Sequence, residues 1–579
     1  MNSQINISNR TCILLLSFVV LGIYYPVIFA TLNSVDDPGM YDYLLNTDNF
    51  TLHSIFASGS SNYYRPVLVL SYMMDKYVWG LEISFMHLEN VVLHLINTLM
   101  VYAIACRYSA QQGIRSEIVA FIVALFFAIH PINTEAVAWI AGRTDLLAGF
   151  FLFLSVWLLA QKCRNLMVSA LAALCMLIAC LAKETAIFFL PAAIILPFFN
   201  SENADTKPPL RATLINNLPH VLTFLGAGAV YFFFRTGAFS HSDAGVAQVF
   251  NHIGGGESVG LLENTRLVLK AAGFYLKKLF FPFPLNFAIT HVSDLYIPLG
   301  FLVFVVALLL MSRRTIIAFL FACAAAIGSS ALMIPLLKQT WTPLAERYMY
   351  IPLAFFLMGL VFEIYRFGKQ IRYQPLLTGV VASVVFIAIY GTTSRAILWQ
   401  DNLALYQDTL RKSPDFIVAQ NEIANALYAR GRNKEADAIV TSLQLPAELN
   451  NRQYGFMSKA DERIKNGDFI GARAIVNQAL TDPGKHEVEL LEKVLEIDKF
   501  QLMAKKSTAL ELYPGSVKTL TRLIDLTAAP FYSYRLGIVY MQAGERQKAL
   551  TAFTTVVRTA PPTAYYRAPA EKLAKELAK

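Results

Sequence analysis

The sequence predicts an all-α protein, a polytopic membrane helical bundle followed by a soluble helical solenoid. Three observations predict it. Of 579 residues, 56% are hydrophobic and only 15% charged, with a mean hydropathy of +0.47; soluble domains carry about 25% charged residues. Apolar runs of membrane-spanning length recur through residues 1–391. From residue 392 the composition changes, and small residues recur at helical-hairpin spacing.

About eleven spans follow from the apolar runs. In order they cover 12–32, 85–105, 118–129, 146–160, 166–182, 185–199, 218–234, 296–311, 315–337, 348–365 and 375–390. The first run is too long for a signal h-region and no small-residue cleavage site follows it, so it reads as a retained span. Long polar segments occupy 33–84 and 235–294, the second with a Gly-, Ser- and His-rich stretch at 240–260. Residues 262–281 set Lys270, Lys277 and Lys278 among apolar positions, the pattern of an amphipathic helix suited to a membrane surface.

Alternating the spans places Arg107 and Arg115, Lys162 and Arg164, Lys207 and Arg211, Arg313 and Arg314, and Arg366, Lys369 and Arg372 on one side. The positive-inside rule makes that side cytoplasmic. It also accounts for the net charge of +9 without nucleic acid. An odd span count puts the C-terminal domain outside, in a periplasm or lumen. The unusual polar segments, at 33–39, 130–145, 183–184, 235–294 and 339–347, fall on that same outer side.

The six cysteines lie in or beside apolar runs and show neither zinc spacing nor a disulfide framework. Gly254, Gly255 and Gly256 lack a following phosphate-loop pattern, and His241, His252 and His291 are scattered.

In residues 392–579, Gly431, Gly467 and Gly544 are each followed five positions later by alanine: Ala436, Ala472 and Ala549. Gly431 and Gly467 stand 36 positions apart, near the 34-residue tetratricopeptide period. A degenerate repeat fits between 488 and 526. Roughly three to four such helix pairs make a solenoid.

Among the polar groups, Asp36 and Asp37 directly follow the first span, and Pro38 and Gly39 break any helix continuing past them. Taken alone they are a solvated turn. His87, Asn90, His94 and Asn97 share one helix face by their spacing of 3, 4 and 3. Interhelical hydrogen bonding explains that stripe as well as chemistry does; His87, nearest the outer end, is its better functional candidate. His130, Glu135, Arg143 and Asp145 form a second cluster, Lys183 and Glu184 a third, Glu346 and Arg347 a fourth. Any one could be a structural ion pair. Together on one face they suit an anionic head group, such as a lipid phosphate, beside a carboxylate that takes a proton or binds a divalent metal.

Set in order, these residues resemble the GT-C superfamily of polyprenyl-phosphate-sugar-dependent glycosyltransferases. They look closest to the transmembrane-and-tetratricopeptide protein O-mannosyltransferases and their bacterial relatives. The matching pieces are Asp36-Asp37, Tyr64-Arg65-Pro66, His87/Asn90/His94, His130-Pro131 with Thr134-Glu135-Ala136-Val137, Gly142-Arg143-Thr144-Asp145-Leu146-Leu147, Lys183-Glu184, Glu346-Arg347-Tyr348 and Trp399-Gln400-Asp401-Asn402. They extend over nearly the whole chain.

The resemblance implies a GT-C-type membrane domain at 1–391 and a tetratricopeptide-like domain at 392–579. It implies transfer of a sugar, mannose among the candidates, from a polyprenyl-phosphate carrier to an acceptor hydroxyl at the outer membrane face. Asp36, in preference to Asp37, would be the base. Arg143, Lys183, Arg347 and His130 would hold the donor phosphate, with His87, Asn90, Glu135, Asp145, Glu184, Glu346 and Arg65 in support. It implies no fixed cofactor; a divalent cation, Mg or Mn, on Asp36 and Asp37 is the alternative. The acceptor implied first is a protein Ser or Thr met through the solenoid, with a lipid or glycan next. The membrane would be a bacterial inner membrane, or that of the endoplasmic reticulum in a eukaryote. A non-catalytic scaffold or transporter with a docking solenoid is the competing class, opposed by polar groups gathered at one face rather than the midplane.

Overall fold

The computed structural model describes residues 8–46, 55–56, 64–111, 117–161, 165–196, 215, 217–240, 260–312, 315–337, 344–368, 374–445, 451–483, 486–561 and 564–578. The stretch at 241–259 and most of the basic loop residues lie outside this set. The chain divides into two compact units, the main division falling between Phe416 and Ile417 rather than at 391.

The first unit is helical throughout the described residues, apart from an isolated bridge between Ile289 and Leu344. Its helices are α1 (Asn9–Tyr24), α2 (Asp37–Asn46), α3 (Pro66–Met74), α4 (Ile83–Gln111), α5 (Glu117–Ile129), α6 (Thr134–Ala138), α7 (Arg143–Leu159), α8 (Leu166–Ala182), α9 (Phe189–Ile195), α10 (Leu218–Ser240), α11 (Leu261–Phe280), α12 (Ile297–Ser312), α13 (Ile316–Leu337), α14 (Tyr350–Gly368), α15 (Gln374–Leu398) and α16 (Asn402–Lys412).

Six helical stretches among the described residues are long and apolar enough to cross a membrane, or seven if the bent pair α5 and Pro131–Ala138 is one span. Four shorter apolar helices, Leu166–Ala182, Glu184–Ile195, Asp294–Leu309 and Ile316–Leu332, occupy other expected span positions. The pair bends by 48° where Pro131 removes a backbone donor. Large apolar side chains stand outward, Leu14 at 70%, Phe18 at 79% and Phe386 at 70% exposure. Such faces are costly in water and are at home against lipid. The chain is a membrane protein.

The break after Asp37 takes another form than the sequence suggests. Pro38 and Gly39 sit in the first turn of α2, where a missing N–H costs nothing and proline's φ is already helical. They start a helix. The amphipathic stretch became α11, which packs along α12. Gly273 and Gly300 allow that crossing: a Cβ on Gly300 would stand 1.9 Å from the Leu269 carbonyl oxygen. Lys278 on this helix is buried, not at a surface.

The second unit is a stack of helix pairs: α17 (Ile417–Ala429) with α18 (Asn433–Ser442), α19 (Asn451–Lys465) with α20 (Phe469–Ala479), α21 (Glu487–Met503) with α22 (Ala509–Thr527), and α23 (Pro530–Gln542) with α24 (Arg546–Thr559), closed by α25 (Arg567–Ala578). Gly431, Gly467 and Gly544 turn three of the pairs with φ of 70°, 74° and 79°, a region glycine enters without steric cost. Ala436, Ala472 and Ala549 are fully buried where the paired helices meet. In the degenerate pair Lys505 takes the left-handed turn position with φ 54°. The tetratricopeptide-like pattern read from the sequence is the pattern of this unit.

Candidate active site

The polar stripe of α4 builds the scaffold. Asn90 donates to the Val137 and Trp139 carbonyls at 3.4 and 2.8 Å. His94 meets the Tyr350 hydroxyl at 2.9 Å and the Ala128 carbonyl at 3.2 Å, and Asn97 donates to the Leu146 carbonyl at 2.9 Å. These bonds pin the chain between α5 and α7, satisfying backbone groups that lipid cannot. His87 is enclosed at 1% exposure. Its environment gives it no open face for substrate.

Arg143 corrects the sequence reading. It is fully buried, its Nη1 2.5 Å from Asp75 and 3.2 Å from Glu89. Its Nε donates to Asn90 Oδ1 at 2.9 Å and its Nη2 to the Met86 carbonyl at 2.8 Å. Four of the five guanidinium N–H groups are committed to protein partners and the side chain is fully buried, the setting of a structural ion pair. His130 is corrected likewise: Nδ1 accepts the Ile132 N–H at 3.3 Å and Nε2 meets the Leu279 carbonyl at 3.3 Å. Its ring caps a turn. Glu346, 2% exposed, pairs with Lys278 at 2.7 Å and accepts the Asn286 N–H at 3.0 Å; it anchors α11 and the loop after it.

Three cations remain, each set by one carboxylate. Arg65, just before α3, grips Glu184 through two parallel bonds, Nε to Oε2 at 2.9 Å and Nη2 to Oε1 at 2.6 Å. Lys183, at the end of α8, donates to Asp145 at 2.5 Å and lies 5.3 Å from the Tyr348 ring centroid. Arg347 pairs with Glu135, which also accepts the backbone N–H groups of Glu346 and Arg347, each at 3.1 Å. The Arg347 guanidinium lies between Trp139 and Tyr348, 4.8 and 5.0 Å from their ring centroids, and its side chain stays 19% exposed.

The adjacent acids face opposite ways. Asp37 is buried; its Oδ2 accepts the Asn33 N–H at 2.8 Å and its Oδ1 the Ala141 N–H at 3.2 Å. Burial pushes its carboxyl up to about 7; the backbone bonds oppose this, and the Asp36 charge adds to it. Asp36 is exposed and makes no hydrogen bond among the described residues. Protein crowded around it raises its carboxyl above the ordinary range, against the pull of Arg347 and then Arg65. The site therefore combines an open, unbonded carboxylate with the fields of two arginines.

Among the described residues no group of three or more His, Cys, Asp or Glu side chains could hold a metal ion. Asp37 is turned to backbone donors, so the acids do not offer one cation two open carboxylates.

The segments around Asp36, 130–145, Lys183-Glu184 and Glu346-Arg347 thus meet. The sequence reading missed Asp75, Glu89, Lys278, Trp139, Asn33 and Tyr406. Asn33 immediately precedes the acidic loop and Lys278 stood out among apolar positions; nothing local marked the others.

Fold and site together define a polytopic helical membrane protein with a charged cluster and a helical-repeat unit. Its curated relatives are protein O-mannosyl-transferases. TMTC1 of Homo sapiens is 31% identical over 178 residues, covering 28% of this chain and 19% of that protein. Tmtc1 of Drosophila melanogaster is 34% identical over 136 residues, 22% and 15% of the two chains. F38B6.6 of Caenorhabditis elegans is 29% identical over 150 residues, 26% and 21%. These names bear out the resemblance drawn from the residues. The chain spans about a fifth or less of the length of these relatives. No protein-family model and no solved structure matches it.

Proposed function

We propose that the chain is an integral-membrane glycosyltransferase that moves a sugar, mannose by the relatives' name, from a polyprenyl-phosphate carrier to a protein Ser or Thr hydroxyl. Asp36 takes the hydroxyl proton as the oxygen attacks the anomeric carbon. The bond from that carbon to the phosphate oxygen breaks, and the lipid phosphate leaves with the electron pair. Arg347, with Arg65 and Lys183, offsets the charge on the leaving phosphate. A carboxyl raised above its ordinary range is a stronger base in its ionised form. The basic loops read from the sequence support an outer, periplasmic or lumenal, side for this site.

One observation carries the proposal: Asp36 is open, with no hydrogen bond among the described residues, in the field of two arginine charges and beside a partner acid whose oxygens are both bonded. The test is transfer from a labelled polyprenyl-phosphate mannose to Ser/Thr peptides by purified protein, parent beside Asp36→Asn. The proposal expects transfer by the parent and a loss of at least a hundredfold in the variant. Full transfer by a folded Asp36→Asn would overturn it.

A further inference from the structure

Among the described residues Asp36 makes no hydrogen bond of its own, so its neighbours hold it. Asn33 binds both of them. Its Oδ1 accepts the Val35 N–H at 3.1 Å, and its N–H donates to Asp37 Oδ2 at 2.8 Å. Asn33 is itself held from far along the chain: the Tyr406 hydroxyl donates to its Oδ1 at 2.9 Å. Tyr406 lies on α16, fully buried, with its ring 5.8 Å edge-to-face from Phe287.

The same segment grips the preceding residues. Asn402 donates to the Leu32 carbonyl at 2.8 Å and Gln400 to the Pro26 carbonyl at 2.6 Å. Asp401 caps α16 by accepting the Leu403 N–H at 2.9 Å. A hydroxyl buried at the end of such a clamp, aimed at the residue whose side chain binds one flank of Asp36 and whose backbone N–H binds the other, does more than fill space.

We propose that Tyr406 and Asn33 are positioning residues that fix the Asp36 carboxylate for proton transfer, their side chains acting through the Val35 tether beside the backbone bond from Asn33 to Asp37. This rests on the proposed role of Asp36 and names how the base is held. The bonds of the relay run to Val35 and Asp37 and not to Arg347, Arg65 or Lys183, so it governs the chemical step rather than donor binding. A base displaced by a fraction of an ångström loses rate while leaving substrate affinity intact.

The test uses full-length protein in detergent, with kcat and donor KM measured for the parent, Tyr406→Phe, Asn33→Ala and the double variant. Tyr406→Phe keeps the ring contact with Phe287 and removes only the hydroxyl. The relay predicts kcat about three- to tenfold lower with donor KM unchanged, the loss expected for one hydrogen bond. It also predicts that the double variant is no slower than Asn33→Ala, because both changes cut one chain. Multiplying losses, a raised KM at parental kcat, or parental kinetics in Tyr406→Phe would overturn it. If Asn33→Ala does not fold, the kcat–KM split in Tyr406→Phe decides. Asp36→Asn run alongside separates the two proposals: an inactive Asp36→Asn beside a parental Tyr406→Phe removes the relay alone, whereas an active Asp36→Asn removes the base itself.

Discussion

Replacing Arg143 by glutamine should unfold the protein more easily without weakening donor binding by the folded form. The side chain is fully buried, and the change leaves Asp75, also fully buried, without its cation. Removing one partner of a buried ion pair costs about 3–5 kcal/mol. The bonds to Asn90 and the Met86 carbonyl are each worth about 1 kcal/mol. Glu89 is 28% exposed and recovers water, so it adds little. Since these losses share one guanidinium, the total should stay near 3–5 kcal/mol. Two assays separate a structural role from a phosphate-binding one: the unfolding midpoint in detergent, and titration of the folded protein at low temperature with labelled polyprenyl-phosphate mannose. The structure predicts a midpoint several degrees lower with unchanged donor affinity. Lost affinity at a parental midpoint would refute the reasoning and return Arg143 to the phosphate.

Glu135→Gln removes the charge that orients Arg347, and donor affinity should fall about tenfold in the same titration, the loss of one charge-assisted hydrogen bond; parental affinity would remove Arg347 from the phosphate site. Asp37 gives stability a pH dependence of known sign. Its folded carboxyl is raised from 3.8 to about 7, so the folded state keeps a proton the unfolded chain releases. That contribution is complete at low pH and disappears as pH rises through about 7. Unfolding midpoints between pH 5 and 8 should therefore show this downward component in the parent and lack it in Asp37→Asn. In the second unit, Gly467→Ala forces a Cβ into left-handed backbone and should cost about 1–2 kcal/mol, and Ala472→Leu overfills a fully buried contact at about 1–3 kcal/mol; calorimetry of the full chain would register both.

Much of the architecture is legible in the residues because it follows from local chemistry. Hydropathy marks the apolar helices, since lipid admits few charges. The glycine-to-alanine spacing of the repeats marks turns that need positive φ and helix contacts that need a small side chain. Asp36, Arg347, Lys183 and Glu135 stood out as polar groups beside apolar runs, and Arg65 through the family resemblance. What each does was not legible, because a buried cation's role depends on partners distant in sequence. Arg143 looks like Arg347 until Asp75 and Glu89 are seen around it. His130 looks reactive until both nitrogens are found on backbone groups. The Asn33–Tyr406 contact joins residues 373 positions apart, and a tyrosine in an ordinary amphipathic helix carries no local mark of it.

The central claim is that Asp36 is the base, and transfer kinetics of the two neighbouring asparagine variants test it most directly. Labelled mannose is followed from polyprenyl phosphate to a Ser/Thr peptide by the parent, Asp36→Asn and Asp37→Asn, with each protein's folding confirmed. The predicted result is transfer by the parent, at least a hundredfold loss in Asp36→Asn, and residual transfer in Asp37→Asn. Full transfer by Asp36→Asn beside an inactive but folded Asp37→Asn would contradict it and move the chemistry to the buried acid.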